Sequence, residues 1–75
     1  MKELVEYIVT SIASHPDQVE IMEDERDGRI NLRLKVASDD KGKVIGRQGR
    51  VAQSIRVLLR VAAVKRSARA NLEII

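Results

Sequence analysis

Val44-Ile45-Gly46-Arg47-Gln48-Gly49 carries an apolar pair into a turn bounded by two glycines. Glycine has no Cβ, so Gly46 and Gly49 can take positive φ and let another backbone approach closely. Between them, Arg47 and Gln48 put a charge and amide donors at the tip. A long amphipathic pattern starts directly after Gly49, and the unpaired N–H groups of a helix start favour anions. A turn of this make-up suits a phosphate backbone better than a metal or a nucleophile.

Downstream of the turn, the apolar spacing predicts a helix from about residue 48 to residue 66. Val51, Ala52, Ile55, Leu58, Leu59, Ala62 and Ala63 fall on one arc of its wheel and should cover a sheet. Arg69 to Ile75 reads as a closing strand with Ala70, Leu72 and Ile74 inward. Upstream, Ser38-Asp39-Asp40 offers capping oxygens and negative charge for a short helix over about residues 39–45. Before it, Ile30, Leu32, Leu34 and Val36 alternate with Arg29, Asn31, Arg33 and Lys35, which predicts a strand over 29–37. Asp27-Gly28 is a turn dipeptide, and residues 18–25 read as its partner strand, with Val19 and Ile21 on one side. Leu4, Val5, Ile8, Val9 and Ile12 predict a helix over residues 2–14, ended by Pro16 acting on His15. The order is helix–strand–strand–helix–turn–helix–strand. It implies an α+β two-layer sandwich in which three helices cover one face of a three-stranded sheet.

Seventy-five residues suffice for one small domain spanning 1–75, which buries only about 60–65% of its unfolded surface. Cysteine, Phe and Trp are absent and Tyr7 is the sole aromatic residue, so the core must be aliphatic. The lack of thiols fits a reducing compartment. The N-terminus has no signal pattern and no apolar run approaches the length of a membrane span, so a cytoplasmic protein is expected. Net charge is +3, but it is unevenly spread. Residues 1–40 hold ten acids and five bases; residues 41–75 hold nine bases and one acid, Glu73. Positive potential is thereby concentrated around the glycine turn and along the chain beyond it.

No catalytic constellation is present. The lone His15 ends a helix, and no serine sits in a nucleophile elbow. The glycine turn lacks the spacing and the Lys-Ser/Thr of a phosphate-binding loop of the Walker type, and the third glycine of a dinucleotide fingerprint. The acids Glu23, Asp24, Glu25 and Asp27 lack the calcium-loop pattern and read as a polar hairpin tip. Neither a metal, a cofactor nor a small-molecule substrate is expected. Helix-turn-helix DNA binding is disfavoured, because the first helix of that pair is too short to brace on a duplex.

Between a short helix and a long basic one, G-x-x-G becomes specific. The run Gly42-Lys43-Val44-Ile45-Gly46-Arg47-Gln48-Gly49-Arg50-Val51-Ala52-Gln53-Ser54-Ile55 resembles the core of the KH RNA-binding domain. The helix-first order resembles its type II arrangement. Over its whole length, including His15-Pro16-Asp17-Gln18-Val19, the chain is similar to small bacterial single-KH proteins of the KhpA-like family. The resemblance implies a backbone grip on about four single-stranded nucleotides by Gly46, Arg47, Gln48 and Gly49. It places bases against Ile45, Val51, Ala52 and Ile55, with Leu34 as a further wall, and phosphates near Lys41, Lys43 and Arg50. It also implies RNA-chaperone roles, a second KH-containing partner of the KhpB (Jag) type, and effects on cell shape and division. The alternative is a protein–protein adaptor whose grip on RNA is weak or vestigial.

Val57, Val61 and Val64 form a second apolar stripe on the long helix, away from the core arc. Either the first helix or a strand wraps around to bury them, or they form a dimer contact, homotypic or with the KhpB-like partner.

Overall fold

A computed structural model describes residues 1–75. Its order is α1 (Lys2–Ile12), β1 (Glu20–Arg26), β2 (Arg29–Lys35), α2 (Lys41–Ile45), α3 (Arg50–Lys65) and β3 (Arg69–Ile74), with single 3₁₀ turns at Pro16–Gln18, Ser38–Asp40 and Arg47–Gly49. The α-β-β-α-α-β order is the expected one, and the architecture is KH-like. β2 is central, antiparallel to β1 and parallel to β3. Asp27 and Gly28 both take positive φ, 51° and 77°, so the two-residue turn matches the right-handed twist of the hairpin and pairs Ile21 with Leu34.

Strict alternation on β2 buries Ile30, Leu32 and Leu34 and exposes Arg29, Asn31, Arg33 and Lys35. These buried side chains meet Val5 and Val9 of α1, Val44 of α2, and Ile55 and Leu59 of α3 in one aliphatic core. The other face of the sheet is exposed, as the two-layer expectation requires.

β1 buries only Ile21. On the same side, Glu23 accepts the Lys2 backbone N–H at 2.9 Å and lies 3.8 Å from the N-terminal ammonium. A strand carboxylate thus caps the start of α1, where the helix dipole favours negative charge. Glu25 meets Arg66, just beyond α3, at 3.5 Å. The acids read from sequence as a polar hairpin tip therefore include two that tie helices to the sheet.

Among the boundaries that differ from expectation, such as β1 starting at Glu20 after a 3₁₀ turn that takes in Gln18, two share one reason. α1 stops at Ile12, short of the expected Ser14, and Ala13 is extended. Ser38-Asp39-Asp40 makes no side-chain cap on α2. Instead the Asp40 carboxylate, fully buried, accepts the backbone N–H of Ser14 at 2.8 Å and of His15 at 2.9 Å. The chain leaves α1 early so that these two donors reach it. Leu58 also departs from expectation: it is half exposed, because the core-facing arc of α3 narrows to Ala52, Ile55, Leu59 and Ala63. No helix is long and apolar enough to cross a membrane.

The Ser14 N–H holds the Asp40 carboxyl below its ordinary pKa; burial opposes this, and the His15 N–H and the charges of His15 and Lys43 add to it. A carboxyl depressed on folding contributes stability above its unfolded pKa, near 3.8, and loses it as pH falls through the lower folded value. Asp40→Asn should therefore lower the thermal midpoint by several degrees at neutral pH, with Asp40→Ala worse. The gap to wild type should narrow on acidification below about pH 4, read by circular dichroism melts across pH.

Candidate nucleic-acid interface

The glycine turn is built by backbone conformation. α2 ends when the Gly46 N–H bonds the Gly42 carbonyl at 2.8 Å, and Gly46 takes φ 77°. Gln48 follows at φ 58° and Gly49 at φ 74°. The two glycines are needed for different reasons. A Cβ on Gly46 would lie 2.4 Å from Val51 Cγ2 and 2.9 Å from Val51 N, an overlap with backbone that nothing nearby can relieve. A Cβ on Gly49 would meet open space, so only its φ is demanding. Val51, expected as a base contact, is half-buried beneath Gly46 and sets how tightly the chain reverses.

At the tip Arg47 and Gln48 are exposed, and their backbone N–H groups find no backbone acceptor in the chain. Arg50 donates to Gln48 Oε1 at 3.4 Å. Arg47, Arg50 and Lys41 form no ion pair. Lys41 opens α2, at the end remote from the turn. Lys43 is turned toward α1, where its ammonium bonds Ser14 Oγ and lies 3.9 Å from Asp40 Oδ1. Its charge neutralises the buried carboxylate and is held away from the tip.

Beside the turn lies an open groove of about 470 Å³, lined by Ile45, Gly49, Ala52 and Arg56 on one side and by Asn71, Leu72, Glu73 and Ile74 of β3 on the other. Ile45 stands 41% exposed at its rim. Two residues assigned to this wall are elsewhere: Ile55 is 2% exposed and Leu34 0%, both inside the core. The helix turns Ile55 inward beside Leu59, and β2 is the central strand, so the wall comes from the edge strand β3. Arg56 and the β3 edge went unnoticed in sequence. Arg56 lies four residues beyond Ala52 on the same flank of α3, which is the signal that marks it. Its Nε donates to the Leu72 carbonyl at 3.3 Å. Arg69 and Ile75 send their N–H groups to Gly28 and to β2, so by alternation Leu72 turns its polar groups to the free edge. Another concavity, on the open sheet face, is lined by Glu23, Asp24 and Glu73 together with Arg33, and the excess of carboxylates there disfavours a phosphate chain.

A three-stranded mixed sheet, a helix pair and a G-x-x-G turn beside an apolar groove define a KH-type domain. The family model described as "KhpA/KhpB, KH domain" matches residues 2–74. The chain is 48% identical over 75 residues to the RNA-binding protein KhpA of Clostridium acetobutylicum, covering 100% of both chains. It is equally similar to the RNA-binding protein KhpA of Caldanaerobacter subterraneus subsp. tengcongensis, at 48% over 75 residues and 100% of both. Against the RNA-binding protein KhpA of Bacillus subtilis it is 42% identical over 74 residues, 99% of this chain and 91% of the relative. The chain belongs to the KhpA/KhpB KH-domain family.

The two glycines should differ on substitution. Gly49→Ala incurs only the left-handed backbone penalty, about 1–2 kcal/mol. Gly46→Ala adds the collision with Val51 and should cost about 2–5 kcal/mol. Urea denaturation of both variants checks the order.

Proposed function

We propose that this chain binds single-stranded RNA at the glycine turn. Gly46, Arg47, Gln48 and Gly49 hold the backbone of about four nucleotides. Arg50 faces the phosphate path, and bases rest between Ile45, Ala52 and the β3 edge. The observation that carries this reading is the tip itself: free N–H groups on Arg47 and Gln48 beside guanidinium groups without ion pairs. The relatives named RNA-binding protein KhpA support it. With Tyr7 exposed on α1, the groove has no stacking aromatic, which elsewhere is worth about 1–3 kcal/mol per base. Binding by one copy is therefore weak and shows little sequence preference. Such a module serves as an RNA chaperone or post-transcriptional regulator in the cytoplasm, and an influence on cell shape and division would act through the RNAs it holds.

The protein works as a homodimer through α3. Val57, Val61 and Val64 are 46%, 55% and 68% exposed, and Leu58 adds a further half-exposed side chain. Neither α1 nor a strand wraps over them. A two-fold axis near Val61 makes this stripe self-complementary, and two joined turns raise avidity on a longer RNA. A KhpB-like chain is the competing occupant of the same stripe.

Arg47→Asp with Gln48→Asp leaves the turn intact, since Asp tolerates the left-handed region, and should abolish RNA binding in fluorescence anisotropy. Unchanged binding would sink the assignment. For wild type on an RNA of about four nucleotides, about three phosphates give a salt slope near −2, or roughly tenfold weaker binding from 50 to 200 mM salt; a slope steeper than about −5 on that RNA contradicts a single-turn grip. Val61→Glu should yield a folded monomer by light scattering. A variant that stays dimeric removes the stripe as the interface, and a wild type that dimerises only with a KhpB-like chain gives it to that partner.

A further inference from the structure

The groove beside the glycine turn occupies one end of a longer seam between α3 and β3. The far end of that seam is a second concavity of about 330 Å³, with Arg60, Val64 and Arg69 around a floor of Ala63, Ala68 and Ala70. Arg56, tied to the Leu72 carbonyl, stands between the two hollows. Arg60 comes one turn later on the same flank of the helix. Arg56, Arg60 and Arg69 form no ion pair. Of the carboxylates nearby, Glu73 is engaged by Arg33 at 3.5 Å and Glu25 by Arg66 at 3.5 Å, while Asp27, which shares the adjoining hollow with Arg69, has no ion pair. Arg60 and Arg69, neither of them ion-paired, thus line a hollow floored by alanines, and Arg56 lies one helical turn nearer the glycine turn.

We propose that the distal α3–β3 seam is a second nucleotide-binding subsite, in which Arg60 and Arg69 hold phosphates of the RNA strand as it leaves the glycine-turn groove. The proposal rests on the RNA reading above and extends its footprint. The alanine floor leaves room for a base. The planar Arg56 guanidinium between the hollows supplies a face for stacking, the contact that aromatic residues provide elsewhere. From Arg56 to Ala63 the helix rises about 10 Å, which gives the seam room for a short further run of the strand. Arg56 and Arg60 lie between the core arc and the Val57–Val61–Val64 stripe, and Val64, which also walls the distal hollow, is the residue the stripe and the seam share.

The test compares oligouridylates of about four and about eight nucleotides by fluorescence anisotropy, on wild type and on the double variant Arg60→Gln, Arg69→Gln. The variant should bind the longer RNA about tenfold more weakly than wild type, with a salt slope shallower by about 1.4. Its affinity for the shorter RNA should stay within about twofold. Because the variant keeps the valine stripe, avidity from dimerisation is the same in both proteins. Equal affinity of the two proteins for the longer RNA overturns the subsite. An equal loss on both lengths also overturns it, since that marks a diffuse charge effect. If wild type binds neither length, the glycine-turn reading fails, and the subsite with it.

Discussion

A five-residue helix has too few internal bonds to hold itself in place, yet α2 must deliver the glycine turn at a fixed angle. It is clamped at both ends. At its start, the buried Asp40 carboxylate gathers the N–H groups of Ser14 and His15, so the end of α1 and the start of α2 move together. At its end, Gly46 lies directly against Val51, so α2 and α3 meet at one geometry only. An uncompensated buried carboxylate is costly. Here two N–H donors and the nearby Lys43 ammonium satisfy it. The turn is consequently placed by tertiary contacts at both sides, and its own hydrogen bonds, Gly46 to Gly42 and Gly49 to Gly46, only complete it.

Charge is divided by task along the chain. Three acids of the first half act as staples: Glu23 on the start of α1, Glu25 on Arg66, Asp40 on the turn after α1. The bases of the second half are mostly left without partners. Arg47 and Arg50 at the tip, and Arg56, Arg60 and Arg69 along α3 and β3, meet no carboxylate. Carboxylates used internally cannot neutralise the basic surface, so the uneven sequence charge becomes a positive flank beside the groove.

Legibility tracked the range of the interaction that decides each feature. The alternation of Ile30, Leu32 and Leu34 and the Asp27-Gly28 turn were readable because period and backbone preference are local. Leu58 was misjudged because a wheel gives direction but not how wide an arc the neighbouring elements cover. Ile55 and Leu34 were assigned to a groove wall, but both sit where helix and sheet close on each other. The docking of β3 beside β2, which puts β3 at an edge of the sheet and so beside the groove, leaves no mark in the residues of either strand.

By itself the sequence determined the element order, the aliphatic core, the G-x-x-G turn with Arg47 and Gln48 at its tip, and a valine stripe on α3 away from the core arc. These depend on periodicity, glycine conformational freedom and residue type, all properties of neighbours along the chain. Only the tertiary structure decided that Asp40 serves the end of α1, that Lys43 faces away from the tip, and that Arg56 lines the groove with Leu72 and Ile74. Each of these joins residues well separated in sequence, and such partners are set by how helices lie on a sheet.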